Sequence, residues 1–131
     1  MSRRTLTLIA ATSLAIAGAL GIQIAAQAAT RASGATLTLS VRVASKTTHA
    51  VLKCEPAGGT HPTAAAACTA LSGVNGNVTA LPPGTGVACA SVYQPAVATA
   101  SGRWHGRTVT YRHTFSNTCA LHVATGVVFT F

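Results

Sequence analysis

Four cysteines, at positions 54, 68, 89 and 119, constrain what this chain can fold into more than any other feature. Their meaning depends on the compartment, and the first residues speak to that. Arg3 and Arg4 precede an apolar run from Leu6 to Ile24 and the small-residue pattern Ala26-Gln27-Ala28. This predicts a secretory signal peptide over residues 1–28 with an A-x-A cleavage site; no second apolar run of spanning length follows. The expectation is one secreted, extracellular domain over residues 29–131, with no membrane partner once the signal is removed. A domain of about 100 residues buries a modest core and gains from covalent staples, so an even number of cysteines in an exported chain reads as two disulfides. Four cysteines allow three connectivities, and spacing alone does not select one. The pairing 54–68 with 89–119 is favoured: the first closes a loop of about 15 residues, worth roughly 3 kcal/mol in the chain-entropy model, and the second closes about twice that length and adds roughly 0.6 kcal/mol more.

Periodicity outlines the rest. Leu37, Leu39, Val41 and Val43 alternate with Thr36, Thr38, Ser40 and Arg42, the period of a half-buried strand. Residues 44–49 are polar and predict a turn, and Ala50 to Lys53 a second strand ending at Cys54. Pro56 to Pro62 is turn material. The alanine-rich stretch Ala64 to Leu71 predicts a short helix closed by Ser72-Gly73. Asn75 to Leu81 is ambiguous, and Pro82 to Gly86 is a loop. Residues 96–100 and 108–115 predict an antiparallel hairpin, with Val109, Tyr111, His113 and Phe115 on its core side. Val127 to Phe131 reads as a last strand. About five strands with one or two helices make an α+β domain with a mainly antiparallel sheet.

Charge removes whole classes of chemistry. After the signal the chain carries Arg31, Arg42, Lys46, Lys53, Arg103, Arg107 and Arg112 against the single acid Glu55, a formal charge of +6, and it has no aspartate. Paired carboxylates for glycoside cleavage or an aspartate dyad cannot be built from one glutamate. A Ser-His-Glu triad would have to use Glu55, wedged between Cys54 and Pro56, and there is no G-x-S-x-G elbow, so the expectation is a protein that is not an enzyme. His49, His61, His105, His113 and His122 lack the spacings of a zinc site and read as structural; no metal or cofactor is expected. Trp104 reads as cover for the edge of the core, and Asn77-Val78-Thr79 fits a glycosylation sequon, a pattern that arises often by chance. Arg103, Arg107 and Arg112 lie on or beside one hairpin, which keeps open the reading of a secreted basic protein that binds polyanions or surfaces. The chain has no basic run or nucleic-acid motif to strengthen it, and nucleic acid is not expected as a partner.

One stretch remains, Cys89-Ala90-Ser91-Val92-Tyr93-Gln94-Pro95. Pro95 fixes its own φ and biases Gln94 toward extended backbone, so residues 90–94 are expected to present side chains alternately between two anchors. An extended, anchored segment is what a protease cleft binds, and Ser91, with no neighbouring base, is better suited to be offered to another protein's nucleophile than to act as one.

Cys54-Glu55-Pro56-Ala57-Gly58-Gly59-Thr60-His61-Pro62 followed by Ala67-Cys68-Thr69-Ala70-Leu71 resembles the signature C-x-P-x₂-G-x-H-P-x₄-A-C-x-x-L of the Streptomyces subtilisin inhibitor family. The likeness continues through Cys89, Val92-Tyr93, Pro95, residues 102–106, Phe115 to Cys119 and Val128 to Phe131. The resemblance implies a five-stranded antiparallel sheet with two short helices, disulfides 54–68 and 89–119, a homodimer, and inhibition of subtilisin-like serine proteases by a substrate-like loop that is cleaved only slowly. It also implies that the reactive bond lies two residues after the third cysteine, between Ser91 and Val92, with Ser91 the specificity residue. Cys89, Ala90, Tyr93, Gln94 and Pro95 would then make the contacts around that bond, and Asn117 and Cys119 would support the loop. Two positions depart from the family pattern: Ala90 stands where proline is usual, and Gln94 where aspartate is usual.

Overall fold

The computed structural model describes residues 34–131; the expected signal peptide and the leader after it lie outside the described residues. Strand β1 (Ala35–Val43) follows the alternation closely, with Ala35, Leu37 and Leu39 buried and Thr36 and Thr38 exposed. It pairs antiparallel with β2 (Lys46–Cys54), Leu37 facing Leu52 and Leu39 facing Ala50. A two-residue connection, Ala44-Ser45, joins them, with Ala44 at φ 51°. The expected turn over 44–49 is therefore corrected to two residues. Lys46 to His49 continue the ladder beyond the reach of β3, where β2 is an exposed edge, and polar and β-branched side chains suit such a half-solvated strand.

Strand β3 is only Gly58–Gly59, laid against β2. Helix α1 (Ala64–Gly73) turns Ala67, Cys68 and Leu71 inward, and a single 3-10 turn, Val78–Ala80, resolves the ambiguous stretch after it. Strands β4 (Ala96–Trp104) and β5 (Arg107–Phe115) form the expected hairpin, but its arms run to a two-residue turn. Both turn residues, His105 and Gly106, have positive φ, 45° and 81°, the requirement of a turn whose twist matches the strands it joins. The predicted core side of β5 is only half-buried, and His113 on it is exposed. The sheet order is β3-β2-β1-β4-β5, antiparallel throughout.

The C-terminal strand expected over Val127 to Phe131 does not form. Helix α2 (Thr118–Thr125) leads into a 3-10 turn, Gly126–Phe129. A strand would send consecutive residues to opposite faces, yet Val128 and Phe129 are both fully buried, packed in one cluster with Leu71, Leu121 and the inward face of the sheet. Burying both outweighs their β propensity. The count of five strands stands because β3 takes the place assigned to the tail.

Two polar joints fix this helical layer. The buried His61 ring accepts the Thr63 N–H at Nδ1, 3.1 Å, so the proton sits on Nε2, which donates to the Val128 carbonyl at 3.1 Å. The disulfides join Cys54 to Cys68 and Cys89 to Cys119, with Cα separations of 5.6 and 5.7 Å, the favoured connectivity. The first ties the end of β2 to α1.

Trp104, the last residue of β4, is 1 % exposed and packed into the core cluster. Gly76, at φ +75°, rests on its ring so closely that an added Cβ would stand 2.3 Å from Trp104 Cγ. Gly76→Ala combines overpacking with a strained backbone, and is expected to cost about 2–4 kcal/mol, a fall in Tm of roughly 10–20 °C. Thermal unfolding checks this; a change under about 3 °C would show that the contact is slack.

Candidate functional site

Residues 82–95 leave the 3-10 turn and run to β4 without helical or sheet structure and without a charged side chain. The main chain is pinned at few points. Near its start the Gly84 N–H donates to the Val123 carbonyl of α2 at 2.7 Å, and near its end the Gln94 N–H donates to the Ser116 carbonyl at 2.9 Å. Between them, Cys89 is bound to Cys119 in the first turn of α2.

Asn117 completes the arrangement. It is the N-cap of α2, in extended conformation, and its Oδ1 accepts the Ala120 N–H at 2.8 Å, satisfying one of the free donors of a helix start. Its Nδ2 points the other way and donates to the Val92 carbonyl at 2.8 Å and the Ala90 carbonyl at 3.3 Å. A single amide thus spans the residue between them, Ser91, holding a carbonyl on each side while Ser91 itself stays exposed. Because Oδ1 is committed to the helix, the amide cannot flip without losing the cap, which fixes the orientation of its two donors.

The loop is also where apolar surface is displayed. The exposed large hydrophobic residues of the described chain are Val87 at 58 %, Val92 at 61 % and Tyr93 at 80 %, all within seven positions. A monomeric surface rarely presents such a set together without a partner for it. Cys89 and Pro95 are half-buried beneath, while Ala90 and Gln94 are exposed. The structure therefore brings together the residues singled out by sequence: Cys89 to Pro95, Asn117 and Cys119. Two participants were not legible. Ser116 acts through a main-chain carbonyl, which any residue supplies, and Val87 precedes the cysteine that bounded the stretch, where only its exposure marks it.

Elsewhere, several polar groups named above are engaged within the chain itself. Glu55 meets His105 at 3.0 Å between two exposed turns, and among the described residues no serine hydroxyl bonds to either. Arg103 donates to the Gly106 carbonyl at 3.2 Å and Arg107 to that of Asn75, so two of the three hairpin arginines are engaged with turns of the chain itself. Asn77, the sequon residue, caps the 3-10 turn by accepting the Thr79 N–H at 3.1 Å.

Residues 31–117 match the family model described as subtilisin inhibitor-like. Subtilisin inhibitor-like protein 5 of Streptomyces fradiae is 42 % identical over 93 residues, 70 % of this chain and 87 % of that one. Trypsin inhibitor STI2 of Streptomyces longisporus is 44 % identical over 81 residues, 61 % of this chain and 56 % of that one. Among solved structures, Streptomyces caespitosus sermetstatin, crystallised in complex with Bacillus licheniformis subtilisin, is similar with a TM-score of 0.64 at 32 % identity, over 75 % of this chain and 99 % of that one.

The double duty of Asn117 can be separated experimentally. Asn117→Asp keeps an oxygen for the Ala120 N–H and adds negative charge at a helix N-terminus, but it replaces the donor facing two carbonyls with an acceptor. Stability should change by less than about 1 kcal/mol, while amide hydrogen exchange at Gln94, whose N–H is the one among residues 90–94 bonded to a carbonyl, rises at least tenfold. Unchanged exchange would mean that the clamp does not hold the loop.

Proposed function

The chain belongs to the subtilisin inhibitor-like family, and from that footing we propose that it inhibits subtilisin-like serine proteases by offering the Ser91–Val92 bond to their active sites. The observation that carries this reading is the placement of Asn117, whose amide holds the carbonyls on either side of Ser91 while the residues around it stay exposed. The family is one of inhibitors, not enzymes, and the reading as a polyanion-binding protein without a protease target is not favoured.

The mechanism follows from the restraint. A segment already held in one conformation loses little entropy on entering a cleft, so more of the contact energy appears as affinity. Main-chain groups of an extended segment pair with an enzyme strand, and pockets read alternate side chains. When the enzyme's serine attacks the Ser91 carbonyl, the new amine belongs to Val92. That residue remains tied through Asn117 and through Gln94 to Ser116, while the acyl side remains tied through the Cys89–Cys119 bridge. Neither end diffuses away, so religation competes with hydrolysis. In this reading Ser91 enters the specificity pocket, Ala90 and Val92 flank it, and Cys89, Tyr93, Gln94 and Pro95 complete the contact. Export with removal of residues 1–28, and a homodimer, belong to the same proposal; a solution mass of twice the mature chain checks the latter.

Titration of subtilisin with the mature protein is the experiment. Residual activity should fall linearly to an equivalence point of one chain per enzyme. Replacing both Cys89 and Cys119 with serine should convert the inhibitor into a substrate, with fragments meeting at Ser91–Val92 accumulating as activity recovers. An unchanged lifetime of inhibition in that variant would contradict the proposed role of the bridge.

A further inference from the structure

The side chains around the proposed bond are distributed unevenly. On its amino side stand Ala88, Cys89, Ala90 and Ser91: three side chains of one or two heavy atoms and a sulfur already bound to Cys119. Among the described residues no main-chain hydrogen bond holds residues 85–90, and only the Asn117 side chain reaches one of their carbonyls. Residues 88–91 therefore offer a partner mostly backbone, the exposed Val87 standing further back along the arm. On the carboxyl side stand Val92 and Tyr93, 61 % and 80 % exposed, on a main chain fastened at the Val92 carbonyl and the Gln94 N–H. That arm offers large apolar side chains on a fixed support.

Resting on the inhibitor reading above, we infer that the protease this loop fits best has a shallow specificity pocket, of the elastase kind, closed to anything larger than alanine or serine, and takes its side-chain contact from Val92 and Tyr93. A wide apolar pocket would receive from Ser91 one hydroxyl to desolvate and a void that its walls leave unfilled. A trypsin-like pocket would keep its buried acid unpaired. A pocket already filled by its own walls loses nothing to Ser91, and small residues on the amino side let the main chain approach an enzyme strand closely. Tyr93, with two rotatable side-chain bonds and a large amphipathic ring, is suited to carry the weight that Ser91 cannot.

The test is a matrix of inhibition constants for the wild type, Ser91→Leu, Ser91→Gly and Tyr93→Ala against an elastase-type serine protease, subtilisin and trypsin. Residues 91 and 93 are exposed, so these variants keep the fold. The wild type should bind the elastase-type enzyme at least tenfold more tightly than subtilisin, with trypsin the weakest. Ser91→Leu should tighten subtilisin binding about 10- to 100-fold and weaken the elastase-type complex at least 100-fold. Tyr93→Ala should weaken both complexes at least tenfold, and more than Ser91→Gly does. Subtilisin inhibited more tightly than the elastase-type enzyme, or a loss below threefold in Tyr93→Ala, would overturn the inference while leaving the inhibitor reading intact. No inhibition of any of the three enzymes would overturn that reading itself.

Discussion

The first turn of α2 is the point on which the exposed loop over residues 82–95 depends. It carries the N-cap Asn117 and the half-cystine Cys119 two residues apart, and the loop is fastened to both. The two fastenings differ in kind. The disulfide is covalent and limits how far the amino-side arm can travel. The amide is directional, and it works only while Oδ1 remains occupied by the helix, so loop geometry and helix start are one cooperative unit. In water a single such hydrogen bond is worth about 1 kcal/mol. Its value here is that it removes motion from the residue on which chemistry would act, where loss of freedom would otherwise be charged to binding.

The remainder of the fold explains why α2 is steady enough for this. Leu121 and Thr125 face inward, and the chain then tucks Val128 and Phe129 beneath the helices, with His61 gripping the Val128 carbonyl. Small inward side chains on β4, Ala96, Ala98 and Ala100, are fully buried in the same cluster that the helical layer joins. The second disulfide closes 30 positions of sequence and encloses both the loop and the β4–β5 hairpin. In a domain this small such a staple stabilises by roughly 3–4 kcal/mol in the chain-entropy model, a large part of a marginal total.

How much of this could be read from the residues depended on what kind of group acts. Alternation over Thr36 to Val43 and the breaker-free alanines of α1 placed those elements within a residue or two, because burial on one face leaves a periodic trace. The family signature brought Asn117 and the cysteine pairs into view. Lys46 to His49 misled because polar residues read as a turn, although an edge strand tolerates them, and Val127 to Phe131 misled because an apolar β-branched run carries no mark of the layer above it. Strand β3 consists of two glycines, whose pairing is a main-chain event with no side chain to announce it. The same holds at the site: Ser116 was silent, and the opposed duties of the two ends of the Asn117 amide emerge only when the helix and the loop are brought together.

If the severed ends stay in register as proposed, cleavage and resynthesis of Ser91–Val92 balance. The direct measurement is to incubate intact protein in one sample, and protein already cut at Ser91–Val92 in another, with a catalytic amount of subtilisin at neutral pH until neither changes. The account predicts that both converge on the same mixture, with intact and cut forms each present in substantial amount. Progress of both samples to complete cleavage would contradict it, since the ends would then part faster than they rejoin.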